Sequence, residues 1–213
     1  MIFIPSKNFL YLRVPRTAST SVSNYLLDNL SIFTDLKTTR PDFLFEKKVT
    51  IVDNIPVHAN VHHLLDNRLI NENEIKDYKI FAVIRDPVDW IISHAFADLP
   101  VEFTINKNLN EIVSSYLDNV HTIPQISILK YKENTLSDIY TYDNLNYMIQ
   151  EVFKYLNIAV HPANSYNYRS DRRLDRVTKL NSVLIDRVYN QYEADYTLYQ
   201  KIILQEQNKK DRI

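Results

Sequence analysis

The sequence predicts an α/β domain with a central, mainly parallel sheet flanked by helices, and three observations lead to that prediction. Segments typical of strands alternate with segments of helical periodicity along the chain of 213 residues. The clearest strand, residues 79–84, is a continuous apolar run, as expected of a parallel strand buried on both faces. Polar or basic segments follow two of the strands, where the ligand-binding loops of such sheets lie.

The predicted elements follow from residue type and spacing. Strands rich in β-branched and aromatic residues are predicted over residues 9–14, 49–52, 79–84 and 138–142. Helices are predicted over residues 19–30, 61–67, 87–95, 109–120 and 143–156, the last capped by Asp143. Residues 174–204 predict one long or two shorter helices, followed by a frayed tail over residues 205–213. We expect one domain spanning residues 1–213.

Composition excludes several classes of site and partner. The net charge of -1 gives no overall field that would attract nucleic acid or an anionic membrane. The absence of cysteine excludes disulfides, thiolate zinc sites and a cysteine nucleophile. No apolar run approaches the roughly 20 residues that span a bilayer, and the amino terminus lacks a signal-peptide pattern. We therefore expect a cytoplasmic protein with no membrane or nucleic-acid partner; the sequence does not define its oligomeric state.

The chain contains no glycine, which is the residue that most readily adopts positive φ. Tight turns are therefore expected to fall to Asn and Asp, which tolerate that region best after glycine. The loops are rich in asparagine, with examples at Asn71, Asn73, Asn106, Asn108 and Asn110. Any motif that depends on glycine must occur in this chain in altered form.

The segment between the first predicted strand and helix is rich in hydroxyl groups. Its members are Pro15, Arg16, Thr17, Ala18, Ser19, Thr20 and Ser21. A loop that leads into a helix offers backbone N–H groups and the positive end of the helix dipole, which together favour an anion. Arg16 adds a planar, positively charged donor. The segment is consistent either with a phosphate or sulfate site or with an ordinary helix cap.

A second basic position follows the strand at residues 79–84. Arg85 ends that strand, and Ser93 lies two turns into the next helix. An arginine at the carboxyl end of a strand can bind a phosphate through two nitrogens. The alternative is an ion pair between Arg85 and Asp86 or Asp89. Two anion-ready strand ends in one sheet favour a ligand with two phosphates.

These two segments resemble the phosphate-binding motifs of the carbohydrate sulfotransferases. The segment RVPRTASTS at residues 13–21 is similar to their 5′-phosphosulfate loop, and is closest to that of the heparan sulfate 2-O-sulfotransferases. The segment FAVIRDPVDWIIS at residues 81–93 is similar to their 3′-phosphate segment. The order of the later elements resembles the compact bacterial and phage members. The family usually has lysine at the position of Arg16.

The resemblance implies a P-loop-NTPase-like, three-layer domain. It implies transfer of a sulfuryl group from 3′-phosphoadenosine-5′-phosphosulfate (PAPS) to a hydroxyl of a small-molecule or carbohydrate acceptor, without a metal. Residues 15–21 would hold the 5′-phosphate, with Arg16 stabilising the leaving phosphate. Arg85 and Ser93 would hold the 3′-phosphate, and Arg169 would add a third phosphate contact.

The general base and the reaction class have alternatives. The resemblance places a base histidine near residues 58–63, and the phage-like pattern favours His58, with His62 and then His63 as alternatives. Each histidine could equally be a surface or packing residue. One rival function is an ATP-using P-loop kinase, which the absence of Gly-x-x-x-x-Gly-Lys-Ser/Thr disfavours. A second rival is a catalytically inactive adenylate-binding scaffold. The sequence does not identify the acceptor.

Overall fold

A computed structural model describes residues 1–29, 44–45, 58–132, 134–135, 138–158 and 179–210. The chain divides into two compact units, which are described separately. Unit 1 comprises Met1–Ile84 and Gln125–Tyr166, and unit 2 comprises Arg85–Pro124 and Asn167–Ile213. The single domain expected from the sequence stays a prediction. The strand predicted over residues 49–52 and the contact predicted for Arg169 lie outside the described residues.

Unit 1 is built on a β-sheet. The strands of the described residues, in chain order, are β1 Ile2–Ile4, β2 Phe9–Leu12, β3 Leu44–Phe45, β4 Lys79–Ile84, β5 Lys130–Tyr131, β6 Asn134–Thr135 and β7 Ile139–Thr141. The strand order in the sheet is β3-β1-β2-β4-β7, and β5 and β6 form a separate hairpin. The pairs β1–β3, β2–β4 and β4–β7 are parallel, whereas β1–β2 is antiparallel. The mainly parallel α/β sheet is therefore confirmed.

The sequence did not predict strand β1, which forms a tight hairpin with β2. Pro5 begins a single 3-10 turn between the strands, and Asn8 closes it at a φ of 47°. Asparagine tolerates this left-handed conformation better than most residues. Met1 and all residues of β1 are buried. The apolar amino terminus is therefore part of the sheet core.

The helices, numbered in chain order, are α1 Ser19–Asn29, α2 Val61–Asp66, α3 Pro87–Asp98, α4 Val101–Ile105, α5 Leu109–Asn119, α6 Gln125–Leu129, α7 Leu145–Leu156, α8 Ser182–Gln191 and α9 Glu193–Lys210. The helices predicted between residues 19 and 156 are confirmed, with ends that differ by up to three residues. The first five residues of the helical region predicted from residue 174 lie outside the described residues. The short helices α4 and α6 were not predicted. Within the described residues, no helix has the length and apolar character that crossing a membrane requires.

Helix α7 covers strands β4 and β7 in unit 1. The aromatic rings of Tyr25, on α1, and Phe153, on α7, lie 5.7 Å apart. The prediction that Asp143 caps α7 is wrong: Asp143 lies in a 3-10 turn, and Asn144 occupies the cap without a capping side-chain hydrogen bond. Because the 3-10 turn runs directly into α7, Asp143 lies within the turn and not at the cap position.

Unit 2 consists of helices in the described residues, and its core lies among α3, α5 and α8. Trp90 is fully buried and packs edge-on against His94 and Tyr192, with ring centroids 4.8 and 5.5 Å apart. The carboxyl-terminal segment forms two helices, α8 and α9, which meet at Tyr192. The predicted fraying from residue 205 is wrong as far as Lys210, and the buried Glu206 shows that this turn of α9 is packed.

The turns at positive φ are shared among several residue types. Among the described residues, the non-glycine residues at positive φ are Asn8, Arg16, Ala18, Arg68, Lys132, Asp138 and Asn157. Asn and Asp therefore take fewer than half of these positions, so the expectation from composition is only partly right. The asparagines named above serve other roles; Asn108, for example, caps α5 by accepting from Glu111 N at 3.1 Å.

Candidate functional site: the loop after the second strand

The loop predicted to bind an anion connects β2 to α1 in unit 1. Because β2 and β4 are parallel, both strands end at the same edge of the sheet. The first helical hydrogen bond of α1 runs from Val22 N to Ala18 O at 2.9 Å. The amides of Ser19, Thr20 and Ser21 precede this bond and so have no partner within the helical ladder. The helix dipole adds positive potential at the same place.

The backbone of this loop is strained. Arg16 and Ala18 both have a φ of 60°. Each non-glycine residue in this region costs about 1–2 kcal/mol, and such strain clusters at ligand sites. Ala18 also occupies the helix cap, where Ser, Thr, Asp or Asn normally accepts from the helix amides. A methyl group cannot do so, and the first amides of α1 therefore receive no bond from the cap side chain.

The hydroxyl groups of the segment have different partners. Thr17 is fully buried, and its hydroxyl donates to Val14 O at 2.9 Å. Thr20 is exposed, and its oxygen accepts from Arg13 Nη2 at 2.8 Å. Because Thr17 gives its proton to a carbonyl, its hydroxyl is already used as a donor within the protein. Thr20 uses an oxygen lone pair for Arg13 and keeps its proton for another acceptor.

His58 contacts the strand end that leads into the loop. Its Nδ1 lies 2.8 Å from the backbone oxygen of Arg13. A carbonyl oxygen only accepts, and Nδ1 must therefore carry the proton of this bond. In the neutral ring the lone pair is then on Nε2, which is the atom that could accept a proton.

The other candidate histidines have different surroundings. The ring of His62 lies 5.4 Å from that of Tyr131 in the β5–β6 hairpin. His63 belongs to the capping box of α2, where its backbone N–H donates to Asn60 Oδ1 at 3.3 Å. Among the described hydrogen bonds, His58 is the histidine joined to Arg13, which lies two residues before Pro15. The geometry thus favours His58 over the alternatives as a candidate base.

Arg85, in unit 2, pairs with one of the two carboxylates considered from the sequence. Its Nε donates to Asp89 Oδ2 at 2.5 Å, and the side chain of Asp89 is only 4% exposed. This ion pair fixes one nitrogen of the guanidinium. An arginine carries five N–H donors, so a phosphate contact through its terminal nitrogens is compatible with the pair.

Asp86 organises the start of α3 beside Arg85. Its Oδ1 accepts from Val88 N at 2.9 Å, and its Oδ2 accepts from the Tyr189 hydroxyl at 3.1 Å. Burial raises the pKa of Asp86, while these hydrogen bonds oppose the rise. Burial and the neighbouring Asp86 raise the pKa of Tyr189, which therefore remains a donor. Ser93 lies on α3 and is partly buried.

Sequence reasoning missed three residues of these arrangements. Arg13 was recognised only as part of the motif at residues 13–21, although an arginine that follows an apolar strand is a usable signal of a buried charge. Asp89 was considered only as a competing partner of Arg85. Tyr189 carried no signal, because it meets Asp86 from 103 residues away. Among the described residues, no group of three or more His, Asp or Glu side chains could hold a metal ion.

Replacing Ala18 with glycine should stabilise the chain. Relief of the left-handed strain, about 1–2 kcal/mol, outweighs the added freedom of the unfolded chain, about 0.4–1 kcal/mol. We expect the free energy of unfolding in urea to rise by up to about 1.6 kcal/mol, the largest difference between these two terms. Arg68→Gly is a matched control, because Arg68 is exposed and has a φ of 56°. A fall in the free energy of unfolding in Ala18→Gly, but not in Arg68→Gly, would contradict the conclusion that the backbone at Ala18 is strained.

Fold and loop together define an α/β protein whose strand-to-helix loop is suited to an anion. In comparison with known proteins, residues 1–99 match the model of the sulfotransferase family. The matched range includes the loop, His58, Arg85 and Ser93. No curated protein and no solved structure matches the chain.

Proposed function

We propose that the chain transfers a sulfuryl group from PAPS to a hydroxyl group of a small molecule or carbohydrate. One observation carries the proposal: Ala18, the residue at the cap position before α1, is strained and has no side chain that could cap the helix. The amides of Ser19–Ser21 then receive no bond from a cap side chain at the positive end of a helix, and the exposed Arg16 lies two residues before Ala18 in the chain. The family match over residues 1–99 supports this chemistry for the loop.

The loop residues fit the 5′-phosphosulfate end of PAPS. That group is anionic and accepts hydrogen bonds, and the loop provides backbone amides, the Thr20 hydroxyl and the Arg16 guanidinium as donors. Because the loop would hold this backbone conformation before PAPS binds, less conformational entropy of the loop would be lost on binding.

The proposed residue roles follow from these contacts. PAPS supplies the sulfuryl group and a phosphate leaving group. Arg16 binds the oxygen that gains negative charge as the sulfur–oxygen bond breaks, and because arginine does not deprotonate, it acts by charge and hydrogen bonds. His58 Nε2 accepts the proton of the acceptor hydroxyl as its oxygen bonds to sulfur. The amides of Ser19–Ser21 hold the leaving phosphate.

The 3′-phosphate of PAPS is the feature that separates it from other adenine nucleotides. We propose that Arg85 and Ser93 bind it and that Arg169 adds a contact, as the resemblance implies. The ion pair with the buried Asp89 supports this role for Arg85, because it limits the orientations of the guanidinium.

Calorimetry with the product 3′-phosphoadenosine-5′-phosphate (PAP) tests the donor without an acceptor. We expect PAP to bind at least about tenfold more tightly than AMP or ATP, since a charge-assisted hydrogen bond contributes about 1.5–3 kcal/mol. Arg85→Ala should remove most of the preference for PAP over AMP and leave the affinity for AMP within about twofold.

The binding experiment has one control variant, and each contrary outcome points to a different conclusion. Arg187→Ala is a matched control, because Arg187 is also paired with an aspartate, Asp118, at 2.8 Å. Tighter binding of ATP than PAP would favour the kinase. PAP binding without transfer to any member of an acceptor panel, measured with labelled PAPS, would favour the inactive scaffold. An unchanged PAP preference in Arg85→Ala would remove Arg85 from the 3′-phosphate site.

A further inference from the structure

Arg13 joins the two halves of the proposed reaction site in unit 1. It lies one residue beyond β2 and is 2% exposed. Its side chain donates to Thr20 Oγ1 at 2.8 Å, and its backbone oxygen accepts from His58 Nδ1 at 2.8 Å. One buried residue therefore contacts both the phosphate loop and the candidate base.

The contact with Thr20 fixes the direction of a hydroxyl. A guanidinium has only N–H donors, so the Thr20 oxygen must accept and its proton must point to a different acceptor. Thr20 is exposed in the first turn of α1, where a phosphate oxygen would supply that acceptor. A hydroxyl that accepts from a cation is also polarised into a better donor.

Thr17 shows the alternative within the same loop. It is buried, and its proton is used by the carbonyl of Val14. A side chain of the same type, three residues from Thr20, is thus a structural hydroxyl. The guanidinium of Arg13 is what distinguishes Thr20 as a donor toward a ligand.

The contact with His58 fixes a tautomer. The carbonyl of Arg13 holds the proton on Nδ1, and the lone pair of the neutral ring is then on Nε2. A base must present a lone pair to the hydroxyl that it deprotonates. The same residue therefore orients a donor for the leaving phosphate and a base for the acceptor.

We propose that Arg13 is a positioning residue of the sulfuryl-transfer site, with its side chain orienting the Thr20 hydroxyl and its carbonyl selecting the Nδ1–H tautomer of His58. This inference rests on the proposed function. It assigns the two groups of Arg13 separate effects, which can be measured independently.

A double-mutant cycle on PAP affinity tests the side-chain effect. The proteins are wild type, Arg13→Lys, Thr20→Val and the double variant, with urea unfolding as the check on folding. We expect Thr20→Val to weaken PAP binding about tenfold and Arg13→Lys about threefold to tenfold. The double variant should be no weaker than Thr20→Val by more than about twofold, because the two changes remove one shared bond. Additive losses overturn the side-chain role.

A conservative variant keeps this test usable if Arg13→Lys does not fold. Thr20→Ser retains the hydroxyl and should bind PAP within about twofold of wild type, whereas Thr20→Val should not. Equal affinities of the two variants overturn the role of the Thr20 hydroxyl. Thr20 is exposed, so neither change is expected to disturb the core.

Nitrogen NMR of the histidine rings tests the carbonyl effect in the wild-type protein. We expect the neutral His58 ring, assigned by its loss in His58→Gln, to be the Nδ1–H tautomer; the Nε2–H tautomer overturns this part. If wild type binds no PAP, the proposed function fails and the inference fails with it. If wild type binds PAP and transfers sulfate but the cycle is additive, the inference alone fails.

Discussion

Arg16→Ala is expected to lower kcat by about 10²–10³-fold, the usual cost of removing one donor to a developing negative charge. Arg16 is exposed and has a backbone φ of 60° in the phosphate loop. Its guanidinium is proposed to bind the leaving oxygen of PAPS, which gains negative charge. PAP affinity should fall less, by about tenfold, since the ground state carries less charge at that oxygen. The measurement is turnover of labelled PAPS with the best acceptor from a screen, together with calorimetry.

Two further variants are compared with Arg16→Ala. Arg68→Ala removes an equally exposed arginine at positive φ, and should leave kcat within about twofold because such surface charges contribute little. Arg16→Lys introduces the lysine that is usual in the sulfotransferases that residues 13–21 resemble, and it keeps the charge. A large loss in Arg16→Lys indicates that the planar donor is required. Full activity in Arg16→Ala would exclude Arg16 from the reaction.

His58→Gln is expected to lower kcat by about 10²–10⁴-fold, the range for loss of a general base. Glutamine can still donate an N–H to the carbonyl of Arg13, so the change removes the basic nitrogen with little loss of packing. PAP affinity should stay within about threefold, because the base acts on the acceptor. Exogenous imidazole should restore part of the rate to His58→Ala, in which a space is left for it.

The prediction for His58 would be contradicted if His62 proved to be the base. His62→Ala should retain most activity, because its ring packs against Tyr131 and, within the described part of the chain, it forms no hydrogen bond with the loop. His121→Ala is the control for an exposed histidine in unit 2. If His62→Ala shows the large loss and His58→Gln does not, the base is His62. Full activity in both excludes a histidine base from this segment.

Most of the fold followed from local patterns in the sequence. The predicted strand at residues 79–84 coincides with β4, and the helix predicted from Ser19 is α1. These elements bury continuous or periodic apolar faces, and such faces are legible from spacing alone. Strand β1 was missed because its pairing with β2 depends on a three-residue turn and a left-handed Asn8, neither of which has a strong pattern.

The candidate site was predictable in its residue types but not in its contacts. The loop at residues 15–21 was identified from a strand, a run of hydroxyls and a helix. The different roles of its two threonine hydroxyls were not predicted. The hydroxyl of Thr17 donates to Val14 O and that of Thr20 accepts from Arg13, and no spacing rule encodes these bonds. The same holds for His58, whose partner Arg13 is 45 residues away.

The sequence by itself determined the alternation of strands and helices, the loop that leads into α1 and the family match over residues 1–99. These depend on residue type and on neighbours along the chain. Only the tertiary structure decided that Ala18 closes the loop at positive φ, that Arg13 is buried and that His58 carries its proton on Nδ1. Those properties arise from polar groups that burial forces to find partners distant in sequence.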